Sequence, residues 1–222
     1  MVNGSQHHAS SARQQQILDA ALHCFLERGV DATTIADVRA RSMASTGSIY
    51  HHFKDKDGLV GGVLQHIIGR YQASLQEALA EMNDPKLLIM GIVLHFTEWA
   101  AQNSSAVKLL SELRGSSIVQ RMNGRADLAK ESLLNPALVD LEKAADDGAI
   151  MKLAAPLYEA VILGPVFDVS DHWQASNQHA AKEADLLAKC AWQALGTKGA
   201  GTKGSKDKKA RGGGKKGKKK KS

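Results

Sequence analysis

The segment Thr33 to Lys56, TTIADVRARSMASTGSIYHHFKDK, constrains this chain more than any other. It reads as two short helices joined by a tight turn. Thr33 or Thr34 caps the first helix, which turns Ile35 and Val38 inward. Ser42-Met43-Ala44-Ser45 forms the turn. The second helix runs through Phe53 on an apolar spine of Ile49 and Phe53. Thr46, Gly47 and Ser48 leave little bulk at its leading end, and Tyr50, His51, His52 and Lys56 set polar tips around the spine. A helix of that shape suits the DNA major groove, which admits one helix and is read by outward hydrogen-bonding groups.

The remaining chain adds only helical periodicity. Met1 to Ala12 is polar and rich in Ser and His, and reads as a loose arm. Gln14 to Arg28 places Ile17, Ala21, Cys24 and Phe25 on one face, with Gly29 as the stop. Asp55 caps a long helix whose Val60, Leu64, Ile67, Tyr71, Leu75, Leu79 and Met82 keep a three-four spacing. Asn83-Asp84-Pro85 ends it. Further helices are expected over 85–102, 105–114, 124–145, 156–173 and 177–195, with Pro136 bending or splitting the third of these and Pro165 bending the fourth. The fold expected is all-α, in four parts: an arm (1–12), a helix-turn-helix unit (13–56), a helical domain (57–196) and a tail (197–222).

The tail is a different electrostatic object. Residues 198–222 hold twelve Lys or Arg and one Asp, a charge of +11; the whole chain is +6, so the remaining residues carry −5. A Gly/Lys sequence cannot bury a core, and disorder is the expectation for it. Apolar runs are too short to span a bilayer and no signal peptide begins the chain, so a cytoplasmic, nucleoid-associated location without membrane contact is expected. Cys24 and Cys190 sit in separate helical patterns and read as buried thiols.

The run TTIADVRARS-x-AS-T-GS-IYHHF-x-DK-x-GL resembles the DNA-binding domain of the TetR family of bacterial transcriptional regulators, over Arg13 to Val60. The resemblance implies that Thr34 meets a phosphate with its hydroxyl and backbone N–H. It implies that Ser45, Thr46, Gly47 and Ser48 lead the recognition helix towards base edges. Tyr50 is then expected on a sugar–phosphate or thymine methyl, His51 and His52 on phosphates, and Lys56 on the DNA backbone. Met43 stands where the family usually has glycine. Either it accepts a positive φ, at about 1 kcal/mol or more, or the turn is shaped differently. Arg39 stands where many such units carry a small residue, with its stem expected along the partner helix and its guanidinium in solvent.

The resemblance also implies an effector-binding, dimerising C-terminal domain. Met90, Leu94, Trp99, Leu113, Met122 and Phe167 are the residues best suited to line a cavity for a small hydrophobic or amphipathic effector, against core filling as the plainer role. Ala160, Gly164, Leu187, Ala191 and Ala194 give small-residue faces suited to a homodimer interface. A dimer implies two reading heads on a near-palindromic double-stranded DNA operator. No cofactor is implied. Neighbouring histidines (His7–His8, His51–His52) point about 100° apart on a helix and do not chelate one metal together. Ser48 and His51 lack an orienting acid and an oxyanion loop, so no hydrolase is expected. The alternative is a DNA-compacting protein dominated by its basic tail.

Overall fold

The computed structural model describes residues 3–114, 132–176 and 180–197. These form ten helices: α1 (Asn3–Arg28), α2 (Ile35–Ser42), α3 (Thr46–Phe53), α4 (Lys56–Leu79), α5 (Pro85–Gln102), α6 (Ser104–Arg114), α7 (Asn135–Asp146), α8 (Ala155–Ile162), α9 (Gly164–Ser176) and α10 (Ala180–Leu195). The only other pairing among the described residues is an isolated bridge, Ile150 with Gly196. The all-α expectation holds.

Local chemistry explains most of the boundaries. Thr34 caps α2, Ser45 caps α3 and Asp55 caps α4, each accepting a first-turn N–H. Asp84 accepts from Lys86 and Leu87 N–H at 2.9 Å and sets Pro85 at the first position of α5. Thr33 does different work. Its buried hydroxyl donates to the carbonyls of Cys24 (3.0 Å) and Gly29 (2.8 Å), closing the end of α1.

Two expectations need correction, the loose arm and the merely bent helix over 156–173, and one open alternative, at Pro136, is decided. The start of the chain is not a loose arm from residue 3 onward: α1 begins at Asn3. Residues 10–14 are exposed, so this extension buries little. It is propagated from the nucleus that the buried face Ile17, Ala21, Cys24 and Phe25 provides, since adding residues to a formed helix is far easier than starting one. The helix expected over 156–173 is split into two, α8 and α9, because Pro165 at the second position of α9 has no N–H for an unbroken ladder. Pro136 likewise sits in the first turn of α7, whose helix starts at Asn135. The tail from residue 198 onward, Met122 and most of the segment before Asn135 lie outside the described residues.

One hydrophobic core runs from α1 to α10 without a break. Helix α4 belongs to both ends of it. Its first half packs on α1 and α3 and its second half on α5 and α7. Helix α5 is the axis of the bundle, burying Leu88, Ile89, Ile92, Val93, Phe96 and Trp99 among α4, α6, α7, α8, α9 and α10. A helix apolar on most sides belongs in such a centre. None of the described helices is long and apolar enough to cross a membrane.

Candidate nucleic-acid interface

Helix α3 is seated by its two apolar residues, Ile49 (1% exposed) and Phe53 (6%). Two glycines of α4 make the seat. A Cβ on Gly58 would stand 2.0 Å from the Phe53 carbonyl oxygen, so only glycine lets α4 start directly beneath α3. At Gly62 the Phe53 ring occupies the space a Cβ would need, with Leu18 beside it. The backbone of α3 is thereby locked to α4, and its other face is free.

That face carries the expected residues. Thr46, Gly47, Tyr50 and His51 are exposed, and Ser48 and His52 are half-buried. Ser45 is exposed too, but its hydroxyl oxygen is engaged at 3.1 Å by the Ser48 N–H as the cap of α3. Gly47 has no internal reason to be glycine, since an added Cβ would meet only Ser45 Oγ, at 3.9 Å. Glycine inside a helix costs about 0.5–1 kcal/mol relative to alanine. Packing within the described residues therefore gives no reason for that cost.

Two expected contacts are already occupied in the free chain. Thr34 donates both its hydroxyl (2.7 Å) and its backbone N–H (2.9 Å) to Asp37 Oδ2. The Asp37 N–H returns a bond to Thr34 Oγ1 at 3.2 Å, completing a capping box. Arg28 Nη1 adds a third bond to the same carboxylate, at 2.6 Å on Oδ1. Bonds from Thr34, then the Arg28 charge, hold the Asp37 carboxyl below its ordinary pKa. A carboxylate thus stands where the sequence reading set a phosphate, and any outside acceptor for the Thr34 donors would have to displace it. Lys56 Nζ donates to the Asp31 carbonyl at 2.7 Å, tying the start of α4 to the α1–α2 loop and leaving two N–H groups uncommitted.

The turn takes the first of its two alternatives. Met43 is left-handed, φ 54° and ψ 19°, with its side chain in solvent. The turn keeps the shape glycine would give it, with strain of about 1–2 kcal/mol. Arg39 is exposed, as expected. Arg41 makes a bidentate pair with Glu27, both bonds 2.8 Å, a second exposed brace between α2 and α1.

The expected cavity residues divide. Trp99 and Phe167 are buried around Phe96, whose ring centroid lies 6.4 Å from Trp99 and 4.8 Å from Phe167. Leu113 is buried and Met90 half-buried. Leu94 is a correction: it is 40% exposed, because at about 100° per residue it points away from Ile92 and Phe96. Met122 lies outside the described residues. What the sequence reading missed is Tyr71. Its place in the apolar period marks it as ordinary core, yet it is fully buried against Phe96, Trp99 and His95 with a hydroxyl that has no hydrogen-bond partner. Burial, then the nearby Glu159 carboxylate, push that phenol far above its ordinary pKa. Among described residues a separate crevice of about 80 Å³ lies between α5 and α7, lined by Met82, Pro85, Leu88, Asp140 and Lys143. No three His, Cys, Asp or Glu converge on a metal position among the described residues.

Of the expected interface residues, Ala160 and Ala194 are exposed, Leu187 is half-buried, and Gly164 has open space where a Cβ would be. Ala191 is a correction. It is 5% exposed and faces α5 with Ala184, Ala188 and Leu195. Its small size serves close packing within the chain. Cys190 is exposed, which corrects the reading of both cysteines as buried.

Known proteins match at both scales. Residues 17–63 match the model of bacterial regulatory proteins, tetR family. The HTH-type transcriptional regulator BetI of Burkholderia ambifaria is 37% identical over 82 residues, 36% of this chain and 42% of BetI; the match thus spans less than half of that relative. Over the whole fold, the transcriptional regulator FadR from Bacillus subtilis, solved in complex with stearoyl-CoA, superposes with TM-score 0.65 at 19% identity, covering 81% of this chain and 98% of FadR. SmeT, the repressor of the Stenotrophomonas maltophilia multidrug efflux pump SmeDEF, gives TM-score 0.60 at 20% identity, covering 86% and 94%. Through the domain that α1, α2, α3 and the start of α4 build, this chain is similar to the bacterial regulatory proteins of the tetR family.

Proposed function

We propose that this chain is a sequence-specific DNA-binding transcriptional regulator, acting as a homodimer and repressing until a small molecule releases it. The observation that carries the reading is the free face of α3: an anchored helix whose leading turn is small, exposed and includes a glycine the fold does not require. Two such helices in a dimer meet successive major grooves, so the operator is a near-palindrome with half-sites about 10 base pairs apart or somewhat more. Selection of bound sites from random duplex DNA tests this; an asymmetric single half-site bound by a monomer contradicts it. Gly164 and Ala194, not Ala191, are the positions where a bulky charge is expected to break the dimer and lose DNA with it.

FadR with its acyl-CoA and SmeT as a pump repressor support an effector in the helical domain. The orphaned Tyr71 hydroxyl, beside Trp99 and Phe96, is the polar group there whose bonding is incomplete, and the effector is hydrophobic or amphipathic with a hydrogen-bonding group. Release works by population shift: an effector that prefers an arrangement with the wrong spacing of reading heads weakens DNA binding by its differential affinity. Helix α4, shared by both ends of the core, is the lever.

The basic tail adds a sequence-independent hold on DNA. Each lysine paired with a phosphate releases about 0.9 counterion, so about four engaged lysines per chain add several units to the salt slope. Deleting residues 198–222 is expected to lower affinity for operator and random DNA alike and to flatten the salt dependence, leaving base preference intact. An unchanged slope on both DNAs assigns the tail to an acidic partner instead.

A further inference from the structure

We infer that His66, set between α4 and α1, is a protonation-sensitive latch that holds the DNA-reading unit on the linking helix. Gln15 of α1 dictates the state of the ring. Its Nε2 donates to Asp19 Oδ1 at 2.9 Å, one turn along the same helix. The same nitrogen lies 3.0 Å from Nε2 of His66, on α4. An ionised carboxylate only accepts, so Asp19 fixes the orientation of the amide, and the second hydrogen of the NH₂ group points at the imidazole. His66 Nε2 must therefore accept. The ring is neutral, with its proton on Nδ1.

A proton on Nε2 would set two donors against each other across 3.0 Å. The compensating partner is present but out of reach, because Asp19 Oδ1 is 3.9 Å from the same nitrogen and engaged by Gln15. Only a shift of α1 against α4 brings that carboxylate within bonding distance of the protonated ring; a turn of the Gln15 amide would instead offer its Oε1 as acceptor and break the bond to Asp19. The charged groups acting on His66 are Asp19 from α1 and Arg70 from α4, the latter tied to Asn103 at the end of α5 by a 3.2 Å bond. Burial, the largest influence, holds the imidazole below its ordinary 6.5; Asp19 pulls it back up and Arg70 adds to the depression.

The packed arrangement binds fewer protons than one in which His66 is solvated. It is therefore fully favoured above pH 6.5 and loses ground as the pH falls through that value towards the depressed one. Acidification biases α1, and with it α2 and α3, away from the position shown here. The effect on DNA rests on the function proposed above; the latch itself does not.

Two measurements on the full chain test it. Ring NMR of His66 is expected to show the Nδ1–H tautomer and a midpoint below 6.5; an Nε2–H tautomer, or a midpoint at or above 6.5, overturns the latch whatever the protein binds. The second compares operator binding by wild type and His66→Gln, whose amide oxygen still accepts from Gln15 but does not titrate. From about pH 7.5 to about pH 5.5 the wild type is expected to lose about two-fold or more relative to the variant. His51 and His52 act equally in both proteins and cancel in the ratio. A flat ratio overturns the coupling. Should the glutamine variant not fold, Asp19→Asn is expected to move the His66 midpoint further down, and an unmoved midpoint counts against the latch. If the function itself is misread, neither protein binds a selected DNA site at any pH, while the NMR result stands alone.

Discussion

The reading unit and the helical bundle solve opposite problems. In the unit built by α1, α2 and α3, the function proposed here lies in what is left exposed, and the buried residues of α3, Ile49 and Phe53, hold one face outward. In the bundle, the function proposed here lies in what is buried, and most apolar side chains of α5 enter one core, Leu87 and Leu94 excepted. Local rules therefore govern the first region. Caps at Thr34, Ser45 and Asp55, a left-handed Met43 and a glycine at 58 each act within a few residues of themselves. The second region obeys only the general rule that apolar faces meet, and its irregularity among the described residues is the unpaired hydroxyl of Tyr71. An irregularity is visible against a background of rules; in the reading unit the informative residues are glycines, in the bundle it is a polar atom.

The sharpest way to separate the two regions is Gly58→Ala. A Cβ 2.0 Å from a backbone oxygen has no flexible neighbour to displace, so α3 must leave its seat. A loss of about 3 kcal/mol is expected, with operator binding abolished. Urea melts followed by gel-shift titration check it. Near-normal binding would mean that α3 is not held as the seat implies.

Gly47→Ala should move stability and binding in opposite directions. The helix gains about 0.5 kcal/mol or more, while DNA affinity falls roughly ten-fold, about 1.4 kcal/mol. Thermal melts and filter binding on one preparation read both. A variant that is more stable and binds as well as wild type shows that the glycine does not answer to an outside surface.

In the bundle, Tyr71→Phe removes a buried hydroxyl that nothing satisfies, so the ligand-free protein is expected to gain about 1 kcal/mol. It is also expected to lose its response to effector. Melts with and without compounds drawn from a small-molecule screen distinguish the outcomes; stabilisation by ligand unchanged in the variant would leave Tyr71 as plain core.

The smallest effect belongs to the turn. Met43→Gly relieves a left-handed φ of 54° and is expected to stabilise by somewhat under about 1 kcal/mol, after the greater freedom of glycine in the unfolded chain is offset. Because the turn shape does not change, DNA affinity should stay within about two-fold, measured by the same titration.

Much of the reading unit is legible in the sequence because its signals are short-range. Asp55 and one of Thr33 and Thr34 read as caps from residue type and spacing alone, and Ile49 with Phe53 as a buried spine. Even the capping box is in reach, since Asp37 stands three residues after Thr34, the usual spacing. Its consequence, that the carboxylate takes the bonds offered to a phosphate, is not. The bundle is legible only as helices. Residue type assigns Leu94 to a cavity and Ala191 to an interface, and the phase of their helices overrules both, sending Leu94 outward and Ala191 against α5.

The sequence by itself determined most of the helices and the pair of short helices joined by a tight turn, because caps, breakers and apolar period act over one or two turns. Tertiary structure alone decided the rest. That Gln15 reaches His66 across 51 positions of chain, and that the Tyr71 hydroxyl ends among rings with no partner, both follow from the distances between packed helices. Those distances are set by the summed packing of many side chains, and no local run of residues encodes them.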